Sequence, residues 1–257
     1  MDFIYHLFNE KKEKVFNLQN CPIILSIMSI RFFYPESKIY VFDYTPHNHD
    51  WEMYEKKLGV IILKTKNKYE NIPKIYQKIL HIYDFMEIFK GPICGIDSDI
   101  IIKKNYNFVD DNLFHVYFHR NKTNCGLYYF KNQIVCRLWV ECIINCFNKS
   151  FNIDCFLKQN NYYKLSDESI LSFLLSENKD LFSSIDELAL IGEKYKYSDK
   201  NWYHFLTVGS KNKKDLILKF EDFYDIFLSI SKNKNIDIIL PNPSTSLKKY
   251  YKKISFL

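Results

Sequence analysis

The sequence predicts an α/β fold in a single domain, a mainly parallel central sheet flanked by helices. Three observations lead there. Short runs rich in Ile, Val, Tyr and Phe alternate with longer segments of helical period, the pattern left by strand–helix–strand crossovers. The 257 residues are 47% hydrophobic and 18% aromatic, enough for a sizeable core and too apolar for a disordered chain. No repeat and no flexible linker divides the sequence, so one domain is expected over residues 1–240, followed by a basic, aromatic tail over 241–257.

Taken in order, "FIYHLF" (3–8), "KIYVFDY" (38–44) and "GVIILKT" (59–65) read as strands, with helices over about 18–33, 50–58 and 72–89 around them. The stretch "FKGPICGIDSDIIIKKN" (89–105) carries a fourth, fully buried strand ending on two acids. "FHVYFH" (114–119) and "NCGLYYF" (124–130) follow as strands, and a helix is expected over about 134–147. A last helix starts at Ser166, where a hydroxyl residue precedes Asp167 and Glu168 as an N-cap precedes first-turn acids, and runs to about Ser176.

Several classes fall away on composition. A net charge of +6 over this length, with lysines spread along the chain, argues against a dedicated nucleic-acid binder and leaves anionic ligands or membrane surfaces open. The N-terminal "MDFIYHLFNEKKEK" lacks the basic start and uninterrupted apolar core of a signal peptide. The longest apolar segment, "CPIILSIMSIRFFY", is too short and too interrupted to span a bilayer, so a cytoplasmic protein is expected. Seven cysteines without a CxxC pair sit mostly in apolar segments and read as reduced core thiols, Cys136, Cys142 and Cys146 among them. Neither a GxGxxG nor a GxxxxGK[ST] loop is present, so any nucleotide must be held by other means.

Those other means point back to Asp97 and Asp99. In open α/β sheets ligands collect at the carboxyl ends of the strands. Two residues apart in an extended chain, the two carboxylates are expected to point to the same side and to converge on one hard divalent cation, Mn²⁺ or Mg²⁺, able to bridge the oxygens of a diphosphate.

The order "YQKILHIYDFMEIFKGPICGIDSDIIIKKN", "NCGLYYF", "SDESIL", "WYHFLTVGSK" resembles the nucleotide-sugar glycosyltransferases of the GT-A fold, above all the family of glycogenin and the lipooligosaccharide galactosyltransferases. The likeness covers about residues 1–215, and its specificity lies in the DxD and the order of the four segments. It implies a Rossmann-like GT-A domain and a donor, a UDP-sugar, bound with manganese. Asp97 and Asp99 match the metal-binding DxD, with Ser98 between them among the donor-contacting residues. Asn124 and Gly126 match an Asn-x-Gly strand beside the sugar. Asp167 and Glu168 match an acidic pair facing the reacting carbon, on a first turn expected to project outward. His204 matches a third metal ligand, and Gly209 and Lys211 a phosphate-binding segment, which here is longer between His204 and Gly209 and lacks the Pro-Trp after the lysine. Members of this family retain anomeric configuration. The partners implied are a nucleotide-sugar and a glycan, glycolipid or protein acceptor.

Each residue also has a plainer reading. His204, between aromatic residues, reads as a core histidine until the DxD is set beside it. Asn124 and Gly126 read as a strand entry, with Gly126 admitting close approach of another backbone. Asp167 and Glu168 read as dipole-favoured first-turn acids. Lys78, on the helix before the DxD, is a further candidate for the diphosphate, against the reading of a solvated helix face. Three alternatives to retaining transfer stand: an inverting enzyme with Asp167 or Glu168 as base, a phosphatase of the haloacid-dehalogenase type using the DSD strand end, and a non-catalytic relative. The tail "STSLKKYYKKISFL" mixes Lys248, Lys249, Lys252 and Lys253 with aromatic and aliphatic residues, a pattern suited to peripheral contact with an anionic membrane.

Overall fold

The structure, a computed structural model, describes residues 1–7, 22–44, 51–64, 69, 71–102, 104–108, 112–119, 122–150, 152–185, 189–190 and 202–204. Gly209, Lys211 and the tail over 241–257 lie outside the described residues. The elements, in chain order, are β1 (Asp2–Leu7), α1 (Pro22–Phe33), β2 (Ile39–Asp43), α2 (Glu52–Leu58), β3 (Val60–Lys64), α3 (Lys74–Ile88), β4 (Ile93–Ile96), β5 (Ile100–Ile102), β6 (Phe114–His119) and β7 (Lys122–Phe130). They continue with α4 (Gln133–Phe147), α5 (Asp154–Gln159), α6 (Asp167–Glu177), a 3₁₀ turn (Lys179–Leu181), β8 (Phe182–Ser184), β9 (Ala189–Leu190) and β10 (Trp202–His204). This is the alternating α/β order expected. Among the described residues no helix is long and apolar enough to cross a membrane.

The chain forms two compact units. The first comprises residues 1–6, 63–96 and 107–186. Its strands are ordered β1-β4-β7-β6-β8. β1 runs parallel to β4 and β6 parallel to β8, while β7 is antiparallel to both β4 and β6, with a register shift between Val116 and Tyr117. β4, "ICGI", is buried along its whole length, which is why it reads as a continuous apolar run rather than an alternation. The helices follow local signals. Asn132 caps α4 by accepting from the Ile134 N–H at 2.9 Å. Ser166 and Ser169 close a reciprocal capping box at the start of α6. The core centres on the fully buried Trp139, whose ring meets Phe114, Tyr128 and Phe130 at centroid distances of 6.2, 5.7 and 6.3 Å. Cys136 and Cys142 are packed in the same helix, as expected of core thiols.

The second unit comprises residues 7–62, 97–106 and 187–257. Here β5, β10 and β9 form a small sheet, β10 antiparallel to β5 and parallel to β9. α1 is stitched to β5 by two buried hydroxyls: Ser26 Oγ donates to the Ile100 carbonyl, and Ser29 Oγ accepts from the Ile102 N–H at 3.0 Å. Near the end of the same helix the buried Arg31 donates from Nε to the Leu58 carbonyl at 2.5 Å and from an Nη to the Gly59 carbonyl at 2.8 Å. Gly59 ends α2 in the left-handed region, φ 60°, where glycine carries no Cβ penalty.

The fourth strand is buried along its length and ends at the acids, as expected, but the acids themselves are not extended. β4 stops at Ile96, Asp97–Asp99 make a tight turn in which the Ile100 N–H donates to the Asp97 carbonyl at 3.2 Å, and β5 begins in a different sheet. The period-2 argument for both carboxylates facing one side therefore does not apply, because the chain is not extended there.

A close approach occurs at Gly95, a position the sequence reading did not single out, over which the Tyr128 ring lies. A Cβ on Gly95 would stand 2.1 Å from that ring's carbon edge. Tyr128 is itself buried, so it has little room to yield. Gly95→Ala is expected to lower the unfolding free energy by about 1–3 kcal/mol, the usual result of overpacking, read from urea denaturation. A midpoint unchanged from the parent would show that the ring moves freely.

Candidate functional site

The first unit gathers five of the residues singled out from the sequence. The capping box fixes where α6 starts, so Asp167 and Glu168 occupy its first turn. Asp167 does not project outward as expected: it is buried, 5% exposed, and its Oδ2 lies 2.5 Å from Lys78 Nζ. Lys78 is buried too, which overturns the solvated-face reading for this residue of α3. The lysine replaces the water that a buried carboxylate would otherwise need.

Around this pair stand other polar groups. The His6 imidazole, with its Nε2 enclosed, is held well below the ordinary histidine range, first by burial and then by the charges of Lys78 and His81. Tyr76 donates to the Leu165 carbonyl at 3.0 Å, just before the α6 cap, and burial, with the Asp167 charge second, pushes its phenol up to about 12. The Tyr76 hydroxyl thus stays protonated and keeps that donor role throughout the neutral range.

Glu168 lies half-buried and is met by β7. Asn124 Nδ2 stands 3.4 Å from Glu168 Oε1, while Asn124 Oδ1 accepts from the Gly126 N–H at 3.0 Å. The second bond sets the amide's orientation, leaving its NH₂ towards the carboxylate. Thr123 Oγ1 donates to the Glu168 carbonyl at 2.7 Å and meets Ser172 Oγ at 2.7 Å. Ser172 Oγ in turn meets the Tyr162 hydroxyl at 2.5 Å. Asn124, Gly126, Asp167, Glu168 and Lys78 are therefore one connected group. Thr123, Ser172, Tyr162, His6 and His81 complete it, and sequence reasoning missed them. His6 left one trace, as a polar residue late in an apolar run; the hydroxyl chain left none.

In the second unit Asp97 is exposed, Ser98 partly exposed and Asp99 buried. β10 pairs with β5 so that His204 stands opposite Ile100, the residue next to Asp99. Trp202, fully buried at the other end of this pairing, donates to the Lys104 carbonyl at 3.1 Å and fixes the register. The backbone thus brings residue 204 beside the DSD turn, although some hundred residues separate them in sequence. The His204 side chain lies outside the described residues, and among those described no three His, Cys, Asp or Glu side chains form a metal cage. Two carboxylates and an imidazole are nonetheless a donor set that Mn²⁺ or Mg²⁺ accepts, and this backbone placement fits such an ion.

No family model matches the chain, and no curated protein matches it in sequence. Solved structures do. The glycosyltransferase GlyE of Streptococcus pneumoniae TIGR4 is similar over 90% of this chain at 15% identity and a TM-score of 0.53, and the match spans 63% of GlyE. The galactosyltransferase LgtC, in complex with donor and acceptor sugar analogs, is similar over 88% of this chain and 100% of its own, at 9% identity and a TM-score of 0.50. Mouse xyloside xylosyltransferase 1 is similar over 79% and 96%, at 11% identity and a TM-score of 0.52. At these identities the likeness is one of fold: the chain has the GT-A glycosyltransferase fold.

The buried ion pair makes a direct prediction. Lys78→Met strands the Asp167 carboxylate and is expected to cost about 3–5 kcal/mol of unfolding free energy. The double variant Lys78→Met/Asp167→Leu is expected to recover most of that loss in urea denaturation. Equal and additive losses would show that the two residues are not coupled.

Proposed function

We propose that the protein is a metal-dependent glycosyltransferase that moves a sugar from a UDP-sugar to a hydroxyl of a glycan, lipid or protein, with retention of configuration. The observation that carries the reading is the register of β10 on β5, which sets His204 beside the Asp97–Asp99 turn in a chain of glycosyltransferase fold. The phosphatase alternative has no comparable support, because the similar solved structures are glycosyltransferases.

In this reading Asp97, Asp99 and His204 hold the cation, with Ser98, Gly209 and Lys211 as further donor contacts. When bound, the cation supplies positive charge against the diphosphate as it leaves. The bond from the anomeric carbon to the diphosphate oxygen breaks, a bond to the acceptor oxygen forms, and the acceptor hydroxyl passes its proton to the departing diphosphate. In the first unit the acidic pair divides its work. Asp167, neutralised by Lys78, is a positioning residue that fixes the first turn of α6. Glu168, only half-buried and oriented by Asn124, is the carboxylate assigned to the anomeric carbon. Lys78 is spoken for by Asp167, which leaves Lys211 the better candidate for the diphosphate. Peripheral membrane contact through residues 241–257 belongs to the same proposal, carried by the mixture of lysines and aromatic residues there.

Two experiments test it. Donor hydrolysis and transfer should require added Mn²⁺ or Mg²⁺, and Asp99→Asn should lower turnover at least about a hundredfold, the scale of lost leaving-group stabilisation. Full activity in EDTA would overturn the metal's part.

The stereochemical outcome is checked separately by proton NMR of the first product from an α-linked UDP-sugar. An α product is expected. A β product would recast Glu168 as the base that deprotonates the acceptor in an inverting reaction.

A further inference from the structure

A cavity of about 600 Å³ opens in the first unit, along the face of α6 that carries Ser172, Leu175 and Ser176. Its other walls come from α5 and the turn after it, from Lys122 at the start of β7, and from Phe118 and Phe182. Among the described residues, none of those assigned above to donor or metal lines it. Its size is that of a small-molecule site.

The wall is built rather than incidental. The Asn160 and Tyr162 N–H groups donate back to the Phe156 and Leu157 carbonyls at 3.0 and 2.8 Å, closing the end of α5. Asn161 then takes a left-handed conformation, φ 55°, which asparagine tolerates better than most residues. Lys122 Nζ donates to the Asn161 carbonyl at 2.8 Å and sits 4.5 Å from the centre of the Tyr162 ring. Phe156 lies nearly parallel to Tyr162 at 6.2 Å. The turn is thus pinned before any ligand arrives.

The lining has a definite chemistry. It combines aromatic rings with three side-chain amides, Gln159, Asn160 and Asn161, and with serine hydroxyls, and among the described residues it contains no carboxylate. An amide offers both donor and acceptor, and an aromatic face offers a flat apolar surface. A pyranose ring presents the complement of both: one face of C–H groups and an edge of hydroxyls, each a donor and an acceptor. A phosphate would want several cations, yet Lys122 is already engaged by the Asn161 carbonyl and the Tyr162 ring, leaving Lys179 as the other lysine. A lipid chain would find no continuous apolar wall, since the amides, Lys122, Lys179 and the serines interrupt the rings.

The cavity also reaches Glu168 through bonds. Tyr162 and Ser172 line it, and the contacts Tyr162–Ser172–Thr123 end on the Glu168 carbonyl. We infer that this cavity is a saccharide-binding site, seating sugar residues of the acceptor chain beyond the one that reacts. The assignment to the acceptor rests on the glycosyl-transfer reading. The binding of a saccharide does not.

The test is calorimetric titration of the full chain, without nucleotide, with maltotriose, lactose, chitobiose and digalacturonic acid. Saturable binding of at least one is expected. Gln159→Ala/Lys179→Ala, both exposed positions, should weaken it about tenfold, as the loss of one or two hydrogen bonds does. Ser176→Trp, which fills the cavity without removing a core side chain, should abolish it. UDP-sugar hydrolysis and the thermal midpoint should stay unchanged in both variants. Absence of binding by all four probes, or binding that Ser176→Trp leaves intact, overturns the inference. Absence of donor hydrolysis in a protein that still binds saccharide overturns the transferase reading alone.

Discussion

The buried Lys78–Asp167 ion pair is the constraint around which the first unit is arranged. Two charges removed from water are tolerated only when they meet closely, and here they meet at 2.5 Å with both side chains almost enclosed. Because Lys78 belongs to α3 and Asp167 opens α6, the pair ties the two helices at one point. The Ser166–Ser169 box sets the rotation of the first turn at that point. Glu168 is then delivered to Asn124, and Ser172, one turn further on, to Thr123. A register change of one residue in α6 would break the ion pair, the box and the hydroxyl contacts together.

The second unit solves a different problem, that of starting a new strand directly after a tight turn. β5 has only three residues, too few to stand by themselves. Ser26 and Ser29 supply a donor and an acceptor from α1, β10 supplies the antiparallel ladder, and Trp202 fixes the far end. Asp99 is buried at the mouth of this arrangement while Asp97 stays exposed. Placing the acids in a turn gives each a different environment, which an extended chain with both on one side would not.

Much of this was legible in the sequence, and the exceptions have physical causes. The runs at 38–44, 59–65, 114–119 and 124–130, and the helices around 72–89, 134–147 and 166–176, correspond closely to observed elements because each carries an uninterrupted period. α5, β8, β9 and β10 escaped because elements of two to six residues are too short to show a period. β4 ends at the DSD as expected, but the acids themselves read as extended because apolar residues flank them on both sides, although Asp and Ser favour turns. Lys78 was misread for a related reason. Helical spacing placed it beside buried positions, but only the partner on a distant helix decides whether a lysine there is solvated or enclosed.

Asp167 shows why plain and functional readings need not compete. As a first-turn acid it gains from the orphan N–H groups and the dipole of α6, worth about 0.3–1 kcal/mol when exposed and up to about 2 in partly buried geometries. That gain alone does not cover the desolvation of a carboxylate at this depth, so the burial requires Lys78 as well. Once paired, the charge of Asp167 is spent on holding the helix start in place. The next residue, Glu168, is half-buried and meets a neutral amide whose own orientation is fixed by Gly126. Two adjacent acids thus acquire separate places from their surroundings: one is immobilised by a cation on α3, and the other meets Asn124 where β7 reaches the start of the helix.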